Sequence, residues 1–310
     1  MMIMTQITLS PVTDPGPWAA ALARAGGAAL QQHWAYGEIA RAAGRDAARV
    51  ALWQGGALVG VAQVIGMGGL RVLNRGPVWM PGVAGDVRRR ALRGLGRGLR
   101  PLLAMPECPL GGLGLVPLIT PRHHAIWDLA APPEDLRAGL SGKWRNRLAG
   151  AERAGLHPAE ACDPGPILRA EAAQQRQRGY RNLPPGFVEG WAQRVPGGLL
   201  ALQIAGADGA PVAGMVFLCH GTQASWHAGW SAPAPCRPAG AHQILLWQAA
   251  LRLRARGVRS LDLGAIADGD GAGRMRFKLG TGARPHALGA FCLVLPGPVS
   301  RRCDGRVRER

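Results

Sequence analysis

Two stretches of the chain carry the same alternation of apolar runs and turn residues. Leu52 to Val64 and Leu202 to Leu218 each read as apolar strand, tight turn, apolar strand. The turns Gln54-Gly55-Gly56 and Ala207-Asp208-Gly209 supply the glycine and aspartate that hairpin geometry demands. One hairpin used twice is what an internal duplication would leave behind. Around the hairpins the apolar positions return at helical spacing, roughly over residues 17–43, 86–103, 133–154, 166–178, 186–194 and 240–256. Residues 258–264 and 287–295 read as strands, and a glycine-rich loop fills 264–273. The pattern therefore predicts a mixed α/β (α+β) protein.

The helix predicted over 133–154 has the clearest stripe, because Leu136, Leu140, Trp144 and Leu148 fall at successive four-residue steps. Proline and two acids, Pro133-Glu134-Asp135, suit its first turn. The other side carries Lys143, Arg145 and Arg147 with no acid three or four residues away. Lys143 and Arg147 form a like-charge i, i+4 pair that opposes the helix by about 0.2–0.5 kcal/mol. Two readings fit. The side chains lie along the stripe and keep their charges in water, or they clamp a phosphate, with Asn146 as a further donor and the planar forks of Arg145 and Arg147 suited to oxyanions.

Composition adds partners and removes function classes. The 310 residues favour two domains, or one duplicated domain. A formal charge of +18 favours anionic partners, such as tRNA or an anionic membrane face, unless it only solvates an arginine-rich surface. Six scattered cysteines with no Cys-x-x-Cys pair give neither a zinc site nor a disulfide framework. The apolar stretch from Ala57 to Leu70 is too short and broken to span a bilayer. No secretory signal pattern opens the chain, so a cytoplasmic location is expected, at most peripheral to the membrane. No P-loop occurs, so ATP use is not suggested, and no bound cofactor or metal is expected.

Several segments taken in order resemble a known family. They are Leu30-Gln-Gln-His-Trp-Ala-Tyr-Gly37, Lys143-Trp-Arg-Asn-Arg-Leu148 with Gly155-Leu156, Ile244-Leu-Leu-Trp-Gln-Ala249, Leu261-Asp-Leu-Gly264 and Phe277-Lys-Leu-Gly-Thr-Gly282. Together they look like the FemAB-type branch of the GNAT acyltransferases. The resemblance implies two fused GNAT-like lobes, each a mixed, mostly antiparallel sheet flanked by helices, with a division near 1–131 and 132–310 and the acceptor between the lobes. It also implies N-acyl transfer by direct attack of an amine, without an acyl-enzyme, from acyl-CoA or aminoacyl-tRNA as co-substrate. The amine would be a small or lipid-linked acceptor, such as a cell-envelope precursor. Phe277-Lys278 matches the family's Phe-Lys pair, whose lysine stabilises the transition state.

That role agrees with chemistry, since a fixed ammonium opposes the oxyanion formed when an ester or thioester is attacked. The superfamily's CoA pyrophosphate loop appears here as Arg237-Pro-Ala-Gly240-Ala-His242, with histidine where a small residue would let phosphate approach. Asp262 could hold the acceptor ammonium or orient Lys278, or simply cap a strand end. His227 could take the amine's proton or belong to the core. Tyr180, in a loop rich in donors, is a candidate for the acceptor site, and Trp144 could offer a stacking surface. Cys219-His220 is not a dyad, because strand neighbours face opposite ways. The competing expectation is a non-catalytic basic protein that binds nucleic acid or an acidic envelope polymer.

Overall fold

The computed structural model describes residues 6–179, 182–233, 236–266, 271–297 and 300–301. It divides into two compact units, one holding the chain up to Arg122 and again from Ala287, the other His123–His286.

The first unit is built on a nine-stranded sheet. Its elements are β1 (Ile7–Pro11), α1 (Pro15–Arg24), a 3₁₀ turn (Leu30–Gln32), α2 (Trp34–Ala42), β2 (Ala47–Gln54), β3 (Ala57–Met67), β4 (Leu70–Asn74), β5 (Val78–Trp79), α3 (Gly85–Gly98), β6 (Leu102–Met105) and β7 (Leu115–Ile119). Two strands from the end of the chain, β15 (Phe291–Val294) and β16 (Ser300–Arg301), complete it. The order is β16-β1-β2-β3-β4-β6-β15-β7, with β5 on β3. Hairpin β2–β3 turns at Gly55 and Gly56, both at positive φ, as a tight turn matched to strand twist requires. The helical pattern over 17–43 is two helices, because Gly26 and Gly27 at positive φ end the first. In the segment that follows, the Arg49 guanidinium lies 3.5 Å over the Trp34 ring and donates to Gln63 and Glu38.

The second unit holds β8 (His123–Asp128), α4 (Pro133–Ala138), α5 (Gly142–Arg153), β9 (Ala159–Glu160), α6 (Gly165–Arg178), α7 (Pro185–Arg194), β10 (Leu199–Ala205), β11 (Pro211–His220), β12 (Gln223–Ser231), α8 (Ala241–Ala255), β13 (Ser260–Ile266), α9 (Ala272–Leu279) and β14 (Arg284–Ala287). Its seven strands run β14-β8-β13-β12-β11-β10-β9. All these pairings are antiparallel except β12 with β13, among the registers assigned. Helix α8 is apolar on nearly every side, so it is buried against the sheet rather than lying on it with a polar face outward. Among the described residues, no helix is long and apolar enough to cross a membrane.

The helix predicted over 133–154 is two helices, α4 and α5. Ser141 adopts extended backbone and donates its N–H to the Gly280 carbonyl at 2.8 Å, which turns the chain between them. The stripe survives the break, with Leu136, Leu140, Trp144 and Leu148 all in the core. The predicted division at 131/132 differs from the observed one in two ways. Strand β8 pairs with β13 and so joins the second unit, while β15 is inserted between β6 and β7 in the first. Pairings between segments this far apart in sequence leave no local pattern to read.

Candidate active site

Strands β12 and β13 pair in parallel only from Gln223 with Ser260 to Ser225 with Asp262. Beyond that point β12 stays with β11 and β13 stays with β8, so the sheet opens into a wedge. Asp262 stands where the strands part. A shift in register follows it, carried by Gly264 at φ 81°, and bulges of this kind re-aim side chains beside functional sites. The Asp262 carboxylate accepts the Gly264 N–H at 2.7 Å, and His124 Nδ1 on β8 lies 3.0 Å from both carboxylate oxygens.

Lys278, half-buried on α9, reaches the same place. Its Nζ donates to the Ala265 carbonyl at 2.8 Å and stands 5.8 Å over the Trp226 ring. Burial pushes its ammonium down to about 8, while Asp262 pulls the other way and Arg274 adds to the lowering. The preceding residue fixes the helix. The Phe277 ring packs against Trp144 and Trp226, each at 6.0 Å between centroids, and meets His242 edge-on at 6.2 Å. Trp144 Nε1 also donates to the Phe277 carbonyl at 3.1 Å. Hence Phe277 and Lys278 divide the work: the ring anchors α9, and the ammonium is held at the Ala265 carbonyl, within the electrostatic influence of Asp262.

The structure brings Lys278, Phe277, Trp144 and Asp262 together. Lys143, Arg145, Asn146 and Arg147 are all exposed on α5, while Trp144 between them faces inward. Arg145 donates to the Leu140 carbonyl at 3.0 Å, and these basic side chains form no ion pair among the described residues. The Arg147 carbonyl closes on Gly240, where a Cβ would come within 2.7 Å of it, and Gly240 is at φ 76°. A cavity of about 240 Å³ lies there, lined by Arg147, Gly150, Ala151, Pro238 and Gly240 among others. Arg237 is exposed just before it.

His227 is not joined to this group. It is the residue skipped by a bulge between β11 and β12, and among the described residues no hydrogen bond or ring contact links its side chain to Lys278 or Asp262. Burial lowers it to about 4, so its ring is neutral near neutral pH. Tyr180 and residues 267–270 of the glycine loop lie outside the described residues. One contributor has no signal in the sequence pattern. His124 is 138 residues from Asp262, and only the antiparallel pairing of β8 with β13 unites them. His242 is half-buried: it is hydrogen-bonded to the Trp230 backbone, and its Nε2 is enclosed without a partner among the described residues. Among the described residues, no cluster of three or more His, Cys, Asp or Glu is arranged to hold a metal ion.

The acetyltransferase (GNAT) domain family matches residues 143–279, the segment from α5 through α9 that builds this site. No curated protein sequence matches the chain. Among solved structures, FemX is similar with a TM-score of 0.72 at 14% identity, over 93% of this chain and 97% of its own. A tandem GNAT protein from the clavulanic acid biosynthesis pathway gives 0.53 at 16%, over 95% and 100%. The C-terminal domain of a putative lysylphosphatidylglycerol synthetase from Agrobacterium fabrum gives 0.54 at 13%, over 92% and 93%. Residues 143–279 thus carry an acetyltransferase (GNAT) domain, and the fold along nearly the whole chain is similar to that of FemX and of a tandem GNAT protein, with two GNAT-like units.

Proposed function

We propose that the protein transfers an aminoacyl group from aminoacyl-tRNA to an amine, by direct attack at the wedge between β12 and β13. The observation that carries this reading is the placement of Lys278, a partly desolvated ammonium held beside Asp262. The acceptor nitrogen attacks the ester carbonyl, and the Lys278 ammonium stabilises the oxyanion that forms. As the intermediate collapses, the C–O bond to the ribose breaks and the leaving alkoxide takes up the proton that the attacking nitrogen has given to Asp262. Asp262, steadied by His124, is placed to hold the acceptor's ammonium and accept that proton. Lys143, Arg145, Asn146 and Arg147 grip phosphate, and a protein of net charge +18 suits a polyanionic donor. A cell-envelope precursor bearing a free amine is the acceptor class this reading favours.

His242 supports the choice of donor. It occupies the start of α8, where CoA phosphate would approach the helix amides, and its ring lies against Phe277. A second reading, with acyl-CoA as donor, draws on the absence of a side-chain cap on α8 and on the small cavity beside it. Offering the protein either donor together with a mixed pool of amines, and detecting new amides by mass, separates them. Product from aminoacyl-tRNA is expected; product from acyl-CoA alone establishes the second reading. No product from either, with salt-sensitive tRNA binding indifferent to Lys278→Ala, identifies a binding protein instead.

Replacing Lys143, Arg145 and Arg147 together by alanine should weaken tRNA binding and flatten the slope of log affinity against log salt by about one for each phosphate no longer neutralised. An unchanged slope means that the phosphate grip lies elsewhere. A second expectation concerns pH. Lys278 is charged below about 8, so transfer should decline as pH rises through that value. Asp262→Asn removes the negative neighbour that holds the ammonium's pKa up, so the declining limb should move to lower pH. A limb that stays put, or moves up, contradicts the pairing of these residues.

A further inference from the structure

We propose that the outer edge of the first unit, β7 with the segment leading into it, docks on an anionic lipid bilayer. Large apolar side chains that stand exposed are few among the described residues: Met67, Leu70, Leu113, Val116, Leu118, Ile119 and Leu295. Five of these seven lie on β7, just before it, or at the end of the adjoining β15, and Leu113 is 82% exposed. A half-buried strand alternates between core and solvent, but every residue of β7 after Leu115 is exposed. Packing within the sheet therefore does not account for Val116, Leu118 and Ile119.

Positive charge borders this patch. On α3, Arg89, Arg93 and Arg97 recur at four-residue steps, and none forms an ion pair with a described residue. The Arg89 side chain lies against Gly112 and that of Arg93 against Gly114, flanking Leu113. Arg93 also donates to the Pro296 carbonyl at 3.0 Å, next to Leu295. Arg122 is exposed shortly after the strand. Apolar side chains framed by guanidinium groups match a membrane surface, with leucine and isoleucine in the acyl boundary and arginine on lipid phosphate. A second copy is disfavoured as the occupant, because the arginines would face one another. Pro117, at the centre of β7, also lacks the N–H that edge pairing needs.

The test is sedimentation of the full chain with vesicles of phosphatidylcholine, alone or mixed with phosphatidylglycerol. Binding to the mixed vesicles only, weakening as salt is added, is expected. Leu113→Asp with Leu118→Asp should lower it at least about tenfold. Arg89→Gln with Arg97→Gln should lower it and flatten its salt dependence. Thermal unfolding checks that both variants remain folded, which the exposure of these positions favours. The proposal is overturned by no binding to phosphatidylglycerol vesicles, by binding that the leucine variant leaves intact, or by a dimer that this variant dissociates.

Discussion

Replacing Lys278 by alanine is expected to slow single-turnover amide formation roughly 10²–10³-fold, with tRNA affinity unchanged. The rate should fall because the ammonium is preorganised: the Ala265 carbonyl holds it, with Asp262 favouring its charged form, before charge develops on the carbonyl oxygen. The affinity should hold because the phosphate-binding side chains stand on α5. Stability separates this effect from misfolding. Burial lowers the folded Lys278 to about 8 from an ordinary 10.5, so between those values the unfolded chain binds more protons and stability rises with pH. Below about 8 the cost of burying the charge is fully present. An uncharged replacement removes that cost and loses one hydrogen bond, so Lys278→Met should be no less stable than the parent at pH 7 by much more than about 1 kcal/mol. A variant that keeps its rate would remove Lys278 from the chemistry.

Truncating Trp144 should have the largest effect on stability, about 3–5 kcal/mol for Trp144→Ala. Helix α9 has no fully buried residue of its own, so its position depends on what packs over it. Trp144 supplies both a ring against Phe277 and an Nε1–H to the Phe277 carbonyl, from a side chain that is 3% exposed. Its loss frees the helix that carries Lys278, and transfer should fall with stability. Trp144→Phe retains most of the ring packing and gives up the hydrogen bond, at a cost of about 1 kcal/mol plus a small packing term. Urea denaturation of the two variants resolves these contributions. A loss within about 0.5 kcal/mol for Trp144→Ala, as at an indifferent surface position, would mean that α9 is held by something else.

Local chemistry makes much of this fold legible in the sequence. The repeated hairpins are marked by glycines that the structure places at positive φ, and the stripe through Leu136, Leu140, Trp144 and Leu148 is buried throughout. Trp144, which spacing puts in the apolar stripe and whose ring could also offer a stacking surface, packs at a tilt against Phe277 inside the protein. The break between α4 and α5 is hidden from the pattern because periodicity carries across it. It is set by a hydrogen bond between Ser141 and Gly280, far along the chain. For the same reason spacing does not link His124 with Asp262, nor β15 with the first unit: register between distant strands is a tertiary fact. His242 reads in the sequence as a residue that obstructs phosphate, and its packing against Phe277 depends on the distant helix α9, which no local spacing encodes.

The most direct test of transfer at the Lys278 site follows a labelled aminoacyl group through one turnover, weighing both protein and amine by intact mass. The label should pass from tRNA to the amine while the protein's mass stays unchanged throughout. Label retained on the protein, or an amide formed equally well by Lys278→Ala, would contradict it.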